Sequence, residues 1–208
     1  MSLSASVDLQ KLYIAFFGRP CDPSGMNYWL SQLNKTMKLE DIALSLSIQD
    51  EYQKNFSYPN SLEAQVNQFY LNLFGRKADF KSLNKWVSFL LEETVRIHDV
   101  ACSLISSSID DTKNNTNQAL IDSRIFKKRI RAAELFTKEI SLSITWINLY
   151  KPESIDPWIL GKALQIGINY ISQIDMNYQL NIDCINNYIR EMSFDKNNTL
   201  PEPIMKIS

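Results

Sequence analysis

Two stretches of this chain are versions of one another. Residues 12–33, LYIAFFGRPCDPSGMNYWLSQL, recur 57 positions later at 69–90 as FYLNLFGRKADFKSLNKWVSFL. Tyr13/Tyr70, Phe17/Phe74, Gly18/Gly75, Arg19/Arg76, Asp22/Asp79, Asn27/Asn84, Trp29/Trp86 and Leu33/Leu90 are identical across the offset. A duplication of this length constrains the architecture strongly, because each copy is too small to bury its aromatic face alone and must lean on the other.

The residues inside the duplication spell helices. Leu9, Leu12, Tyr13, Phe16 and Phe17 recur at three- and four-residue spacing, which predicts a helix over 5–17. Gly18 stands where a helix ends in a left-handed residue. Asp22 is suited to cap the next helix and Pro23 to open it, with Met26, Trp29, Leu30 and Leu33 on one face. A third helix is expected over 39–47, then a short helical turn reaching Tyr52 and Phe56. The second copy repeats the plan: Ser61 caps a helix over 62–74, Gly75 stops it, and Asp79 caps a helix carrying Leu83, Trp86, Val87 and Leu90. A third helix is expected over 94–105. The second loop is degraded, with Lys77, Phe80 and Ser82 in place of Pro20, Pro23 and Gly25.

Beyond the duplication, residues 106–118 are polar and aperiodic and read as an exposed linker after Tyr58-Pro59-Asn60, the linker between the copies. A long helix is expected over 119–142, another starting at Asp156-Pro157, and a last one over 178–192. No alternating pattern predicts a strand. The expected fold is all-α: a repeat domain over 5–108 made of two tandem three-helix units (5–57 and 58–108) packed together, a helical C-terminal region over 119–196, and a loose tail over 197–208.

Composition narrows the function classes. A net charge of −1 and a pI of about 5.9 argue against general nucleic-acid binding, which needs a basic surface to displace counterions. No apolar run approaches the ~20 residues of a transmembrane segment. No cationic stretch followed by an apolar one marks a secretory signal, which leaves a cytoplasmic location open. Cys21, Cys102 and Cys184 are too widely spaced to suggest a disulfide framework or a zinc site. His98 is the one histidine, and no phosphate-cradling glycine loop or HExxH pair occurs. The expectation is a protein that is not an enzyme and has no resident cofactor.

Two groups of residues are candidates for a site. Gly18, Arg19, Asp22 and Trp29, with Gly75, Arg76, Asp79 and Trp86, form the two loop-and-helix corners. A structural account suffices for them: a glycine stop, an arginine serving the last free helix carbonyls, an aspartate cap and a core tryptophan. The sharper alternative is a loop that binds sugar hydroxyls through Asp22 with nearby carbonyls. The other group is Arg124, Lys127, Lys128 and Arg131, whose spacing puts four cations on one helix face. Such a face is either simply solvated or a patch for an anionic partner.

The first copy resembles the bacterial family called domain of unknown function 4214. Leu12, Tyr13, Phe17-Gly18-Arg19-Pro20, Asp22-Pro23, Gly25, Tyr28-Trp29 and Leu33, followed by Glu51-Tyr52, carry the resemblance. The second copy keeps Tyr70, Phe74, Gly75, Arg76, Asp79 and Trp86, and Arg131 to Thr137 looks like the segment that follows paired repeats. The resemblance implies a helical module of exported surface-layer or adhesin-type proteins. It implies a cell-surface or extracellular location and a contact with lipopolysaccharide or other polysaccharide, or with a neighbouring subunit in self-assembly. Ca²⁺, bound through Asp22 with nearby carbonyls, enters only through this resemblance; it asks for six to eight oxygens, and the GGxGxD repeats of calcium-dependent exported relatives are absent. A similar theme in phycobilisome linker domains implies the alternative, an intracellular scaffold that assembles partner proteins.

Overall fold

The apolar, buried end of the first helix, Leu12 to Phe17, sets the arrangement of the rest. The computed structural model describes residues 3–57, 60–109, 116–152 and 159–192, and among these there are helices and no strand. They are α1 (Leu3–Phe17), α2 (Pro23–Leu33), α3 (Leu39–Ser47), α4 (Asp50–Tyr52, continued by a π-helical turn over Gln53–Ser57), α5 (Leu62–Phe74), α6 (Phe80–Leu91), α7 (Ile97–Ile109), α8 (Asn117–Ser141), α9 (Ile144–Leu149), α10 (Lys162–Ser172) and α11 (Ile182–Glu191). The chain is all-α, as expected.

In α1, Ile14, Ala15, Phe16 and Phe17 are all fully buried, so every face of its last turn needs a neighbour. The neighbours are α5, α7 and α8, with α2 and α3 on the remaining side. Corresponding helices of the two copies meet: α1 lies on α5, and α3 on α7. Asn72 donates to the Ala15 carbonyl at 2.9 Å, two positions that are themselves 57 apart. Phe16, Tyr52 and Phe69 form an aromatic knot between the copies, with edge-on contacts of Phe16 to both others at 5.5 Å. The 25-residue α8 then runs against α1, α5, α7 and α11. One apolar core extends from Leu9 to Met192.

The caps behave as the residue types dictate. Asp22, Ser61 and Asp79 accept from the amides of Gly25, Ala64 and Ser82. Gly18 and Gly75 take φ of 64° and 72°, and their amides close on Ile14 and Leu71 four residues back. That is the single-bond left-handed helix stop.

Three boundaries differ from the sequence reading. α7 begins at Ile97 and continues through residues expected to be linker, as far as Ile109. Ser107 and Ser108 turn their hydroxyls back onto the Leu104 carbonyl, so these polar side chains are satisfied within the helix. The helix expected from Asp156-Pro157 begins instead at Lys162, with Gly161 as N-cap and Leu160 outside it; Asp156 and Pro157 lie outside the described residues. The last helix begins at Ile182, not Tyr178, because the Asp175 carboxylate captures the amides of Asn177 and Tyr178 in a turn and Asn181 caps the helix. The tail over 197–208 and Tyr58-Pro59 lie outside the described residues.

Candidate functional site

Each Gly-Arg corner is built by the same local chemistry. The amide of the residue two after the arginine donates to a side-chain carbonyl on the preceding helix: Cys21 to Gln10 at 2.9 Å, Ala78 to Asn67 at 3.0 Å. Each arginine donates to the carbonyl of the next residue, Pro20 or Lys77. Each guanidinium lies over a tyrosine ring, 5.2 Å from Tyr13 and 5.4 Å from Tyr70. Neither serves the last carbonyls of its own helix; both take a carboxylate instead, which a charge leaving water requires.

The two corners differ in what closes them. Arg19 pairs two-pronged with Glu51, at 2.6 and 2.8 Å, and touches Asp22 at 3.3 Å. Burial alone would weaken its charge, but Glu51 outweighs that and holds the guanidinium above its ordinary pKa. Tyr150, from the end of α9, covers the group at 5.8 Å from its ring centre and donates to the Pro20 carbonyl at 2.9 Å. Thr137 of α8 donates to the Cys21 carbonyl at 2.6 Å and accepts from Gln10 at 2.8 Å. Burial pushes the Cys21 thiol and the Tyr13 hydroxyl up, so neither is an acid at ordinary pH. The Arg19 side chain is 1% exposed.

Arg76 is 29% exposed. The positions 57 and 58 beyond Glu51 hold Ser108 and Ile109, so the second copy lacks a glutamate of its own. Asp122 of α8 supplies the carboxylate, at 2.9 and 2.6 Å. A cleft of about 170 Å³ remains beside this pair, lined among others by Tyr70, Phe74, Ser107 and Ser108. A larger groove of about 480 Å³ lies between α1, α3 and α7, lined by Leu12, Leu39, Cys102 and Ile105 with Asp8 and Lys11. That acid and amine pair with each other at 2.6 Å, and Glu40 and Ser106 complete its polar lining.

The tryptophans part company as well. Trp29 is buried and donates to the Tyr13 hydroxyl at 3.2 Å. Trp86 is half-buried, with the Lys85 ammonium 4.9 Å from its ring centre. Gly25 is small for a local reason: a Cβ there would stand 2.5 Å from the Tyr13 hydroxyl. Ser82, its counterpart, uses its hydroxyl on Asp79.

The basic run on α8 is divided. Arg124, Lys127 and Arg131 are exposed, and Arg131 reaches Glu134 at 3.6 Å. Lys128 leaves the patch to donate to the carbonyls of Met176 and Tyr178. The spacing sets the exposed cations on the side of α8 opposite Asp122, so they do not join the cleft. Arg129, within the same run, is buried and donates to the carbonyls of Leu71, Asn72, Ser172 and Ile174. It therefore gathers the C-terminal ends of α5 and α10. Burial pushes its pKa down to about 10, with Asp175 opposing.

The acids do not fit Ca²⁺. Asp22 is committed to Arg19 and the Gly25 amide, and Asp79 to the Ser82 amide and hydroxyl, which leaves far fewer than the oxygens required. Among the described residues no group of three or more His, Cys, Asp or Glu is placed to hold a metal ion, and no helix is long and apolar enough to cross a membrane.

Glu51, Asp122, Arg129 and Tyr150 were not singled out by the sequence. Glu51 had a signal, since Glu51-Tyr52 belongs to the repeat pattern. Arg129 had one too: with four cations on one face, the fifth falls among Ile125, Phe126 and Ile130. Asp122 and Tyr150 act across 46 and 130 residues and have no local signature. No curated protein and no solved structure matches the chain. Residues 4–56, which span the buried Arg19 corner and its Glu51, match the family model described as Domain of unknown function (DUF4214).

Proposed function

We propose that this chain is a non-enzymatic binding or anchoring module at a bacterial cell surface, contacting lipopolysaccharide or other polysaccharide through the Arg76 corner. The observation that carries the reading is the contrast between two corners of one design. Arg19 is enclosed and structural, whereas Arg76 and Asp122 border an open cleft. A rigid guanidinium–carboxylate pair offers fixed donors and acceptors to sugar hydroxyls. The exposed Ser107 hydroxyl, whose proton goes to the Leu104 carbonyl, adds an acceptor, and the Tyr70 and Phe74 rings line the apolar side. At about 170 Å³ the cleft is on the scale of one sugar unit. The exposed Arg124, Lys127 and Arg131 supply a second, longer-range attraction to anionic polymers, screened by salt.

The test is titration of the purified chain with lipopolysaccharide and with neutral polysaccharide. Arg76→Ala is expected to weaken binding about tenfold or more, the worth of a charged hydrogen-bonding group. Lys127→Ala with Arg131→Ala is expected to lower affinity chiefly at low salt. Unchanged binding in Arg76→Ala, with the helical content intact, defeats the assignment of the cleft.

The alternative, an intracellular helical scaffold that assembles partner proteins, is favoured by a different observation: α6 leaves Phe80 and Leu91 largely in solvent.

A further inference from the structure

The helices α2 and α6 occupy matching places in the two copies, yet they are covered differently. α2 buries Met26, Trp29 and Leu30. α6 buries no residue fully. Its inner face, Leu83, Trp86, Val87 and Leu90, is half-buried against the core, and Phe80 and Leu91 are 81% and 69% exposed. Phe80, Asn84 and Leu91 lie on one exposed strip along the helix, bordered by the half-buried Val87 of the inner face.

The charges beside that strip are ordered. Lys81, Lys85, Ser88 and Glu92 form the neighbouring row and are all exposed. The row thus begins with two cations and ends with an anion. This polarity is the reverse of what stabilises a helix by itself, because cations belong at the C-terminus and anions at the N-terminus. The first turn carries no acid and the last turn no base.

We infer that α6 is the contact of a two-fold dimer, in which it pairs antiparallel with α6 of a second copy. In that arrangement each row meets its own reversed image. Lys81 faces the partner's Glu92 twice over, Lys85 faces the partner's Ser88, and Phe80 meets the partner's Leu91 across the strip. The reversed helix also presents its dipole in the opposing sense. The pairing is independent of the polysaccharide reading, since it uses neither the Arg76 cleft nor the α8 cations.

Sedimentation of the full chain over a concentration series tests it. The wild type is expected to show a monomer–dimer equilibrium, and Phe80→Glu, at an exposed position, to give monomer with unchanged circular dichroism. Lys81→Glu and Glu92→Lys, each placing like charges together, are expected to weaken association about three- to tenfold. The two changes combined restore it. A wild type that is monomeric throughout overturns the inference. So does a dimer indifferent to Phe80→Glu, or a double exchange no tighter than either single one.

Discussion

Asp122 reaches Arg76 from a different part of the chain than Glu51 reaches Arg19, and the pair it makes is wetter. The geometry of the two ion pairs is nearly the same, 2.9 and 2.6 Å against 2.6 and 2.8 Å. Solvent access separates them, and so do the consequences of breaking them.

Glu51→Ala leaves a buried guanidinium without its counter-charge. It is expected to cost about 3–5 kcal/mol, as removal of one partner from a buried pair does. Asp122→Ala leaves Arg76 able to turn to water, and its cost is expected near 1 kcal/mol. Urea unfolding of the two variants side by side measures the difference; equal losses would show that exposure does not separate the corners.

Arg129 is expected to be harder to replace than its charge suggests. Its planar fork meets four carbonyls on two helix ends, and the compact ammonium of lysine has no such fork. Arg129→Lys should therefore destabilise by about 2 kcal/mol or more, with amide exchange accelerating first at the ends of α5 and α10.

At Gly18 two costs combine. The φ of 64° strains any L side chain, and a Cβ would sit 2.8 Å from the Asn72 amide oxygen. Gly18→Ala is expected to lower stability by about 1–3 kcal/mol. Adding Asn72→Ala removes the collision while leaving the backbone strain, so the second substitution should cost less in the Gly18→Ala background than alone. A double-mutant cycle in thermal unfolding checks this.

Acid should loosen α6 at its start. The Ser82 amide, and then its hydroxyl, hold the Asp79 carboxyl below its ordinary range. A carboxylate lowered by folding contributes fully above its unfolded value, about 3.9, and loses that contribution as pH falls through the folded one. The stability gap between wild type and Asp79→Ala is expected to be flat near neutral pH and to close below about pH 4. A gap that persists unchanged in acid would mean that the ionised cap is not its source.

Local chemistry was largely readable in advance. Asp22, Ser61, Asp79 and the two glycines act through neighbours within a turn, and residue type alone announces that. Boundaries slipped where a side chain competed for the backbone, as Asp175 does before α11, and where polar side chains were satisfied inside a helix, as Ser107 and Ser108 are at the end of α7. The closing groups of the corners were hidden for a different reason. Asp122, Tyr150 and Thr137 matter because of where α8 and α9 come to lie, and no spacing near Arg19 or Arg76 encodes that. Trp86 shows the same limit. Its spacing is that of buried Trp29, but it stays half-exposed because α6 buries no residue fully.

The roof that Tyr150 and Thr137 place over the first corner sets a limit on dissection. The segment most readily recognised in the sequence ends near residue 56, yet its central arginine is shielded by groups drawn from 116 to 130 residues downstream of the carbonyls they hold. Excised at its sequence border, that segment would present a desolvated ion pair to water with its neighbours gone. The stretch that the sequence marks out is therefore shorter than the stretch that shields its own ion pair.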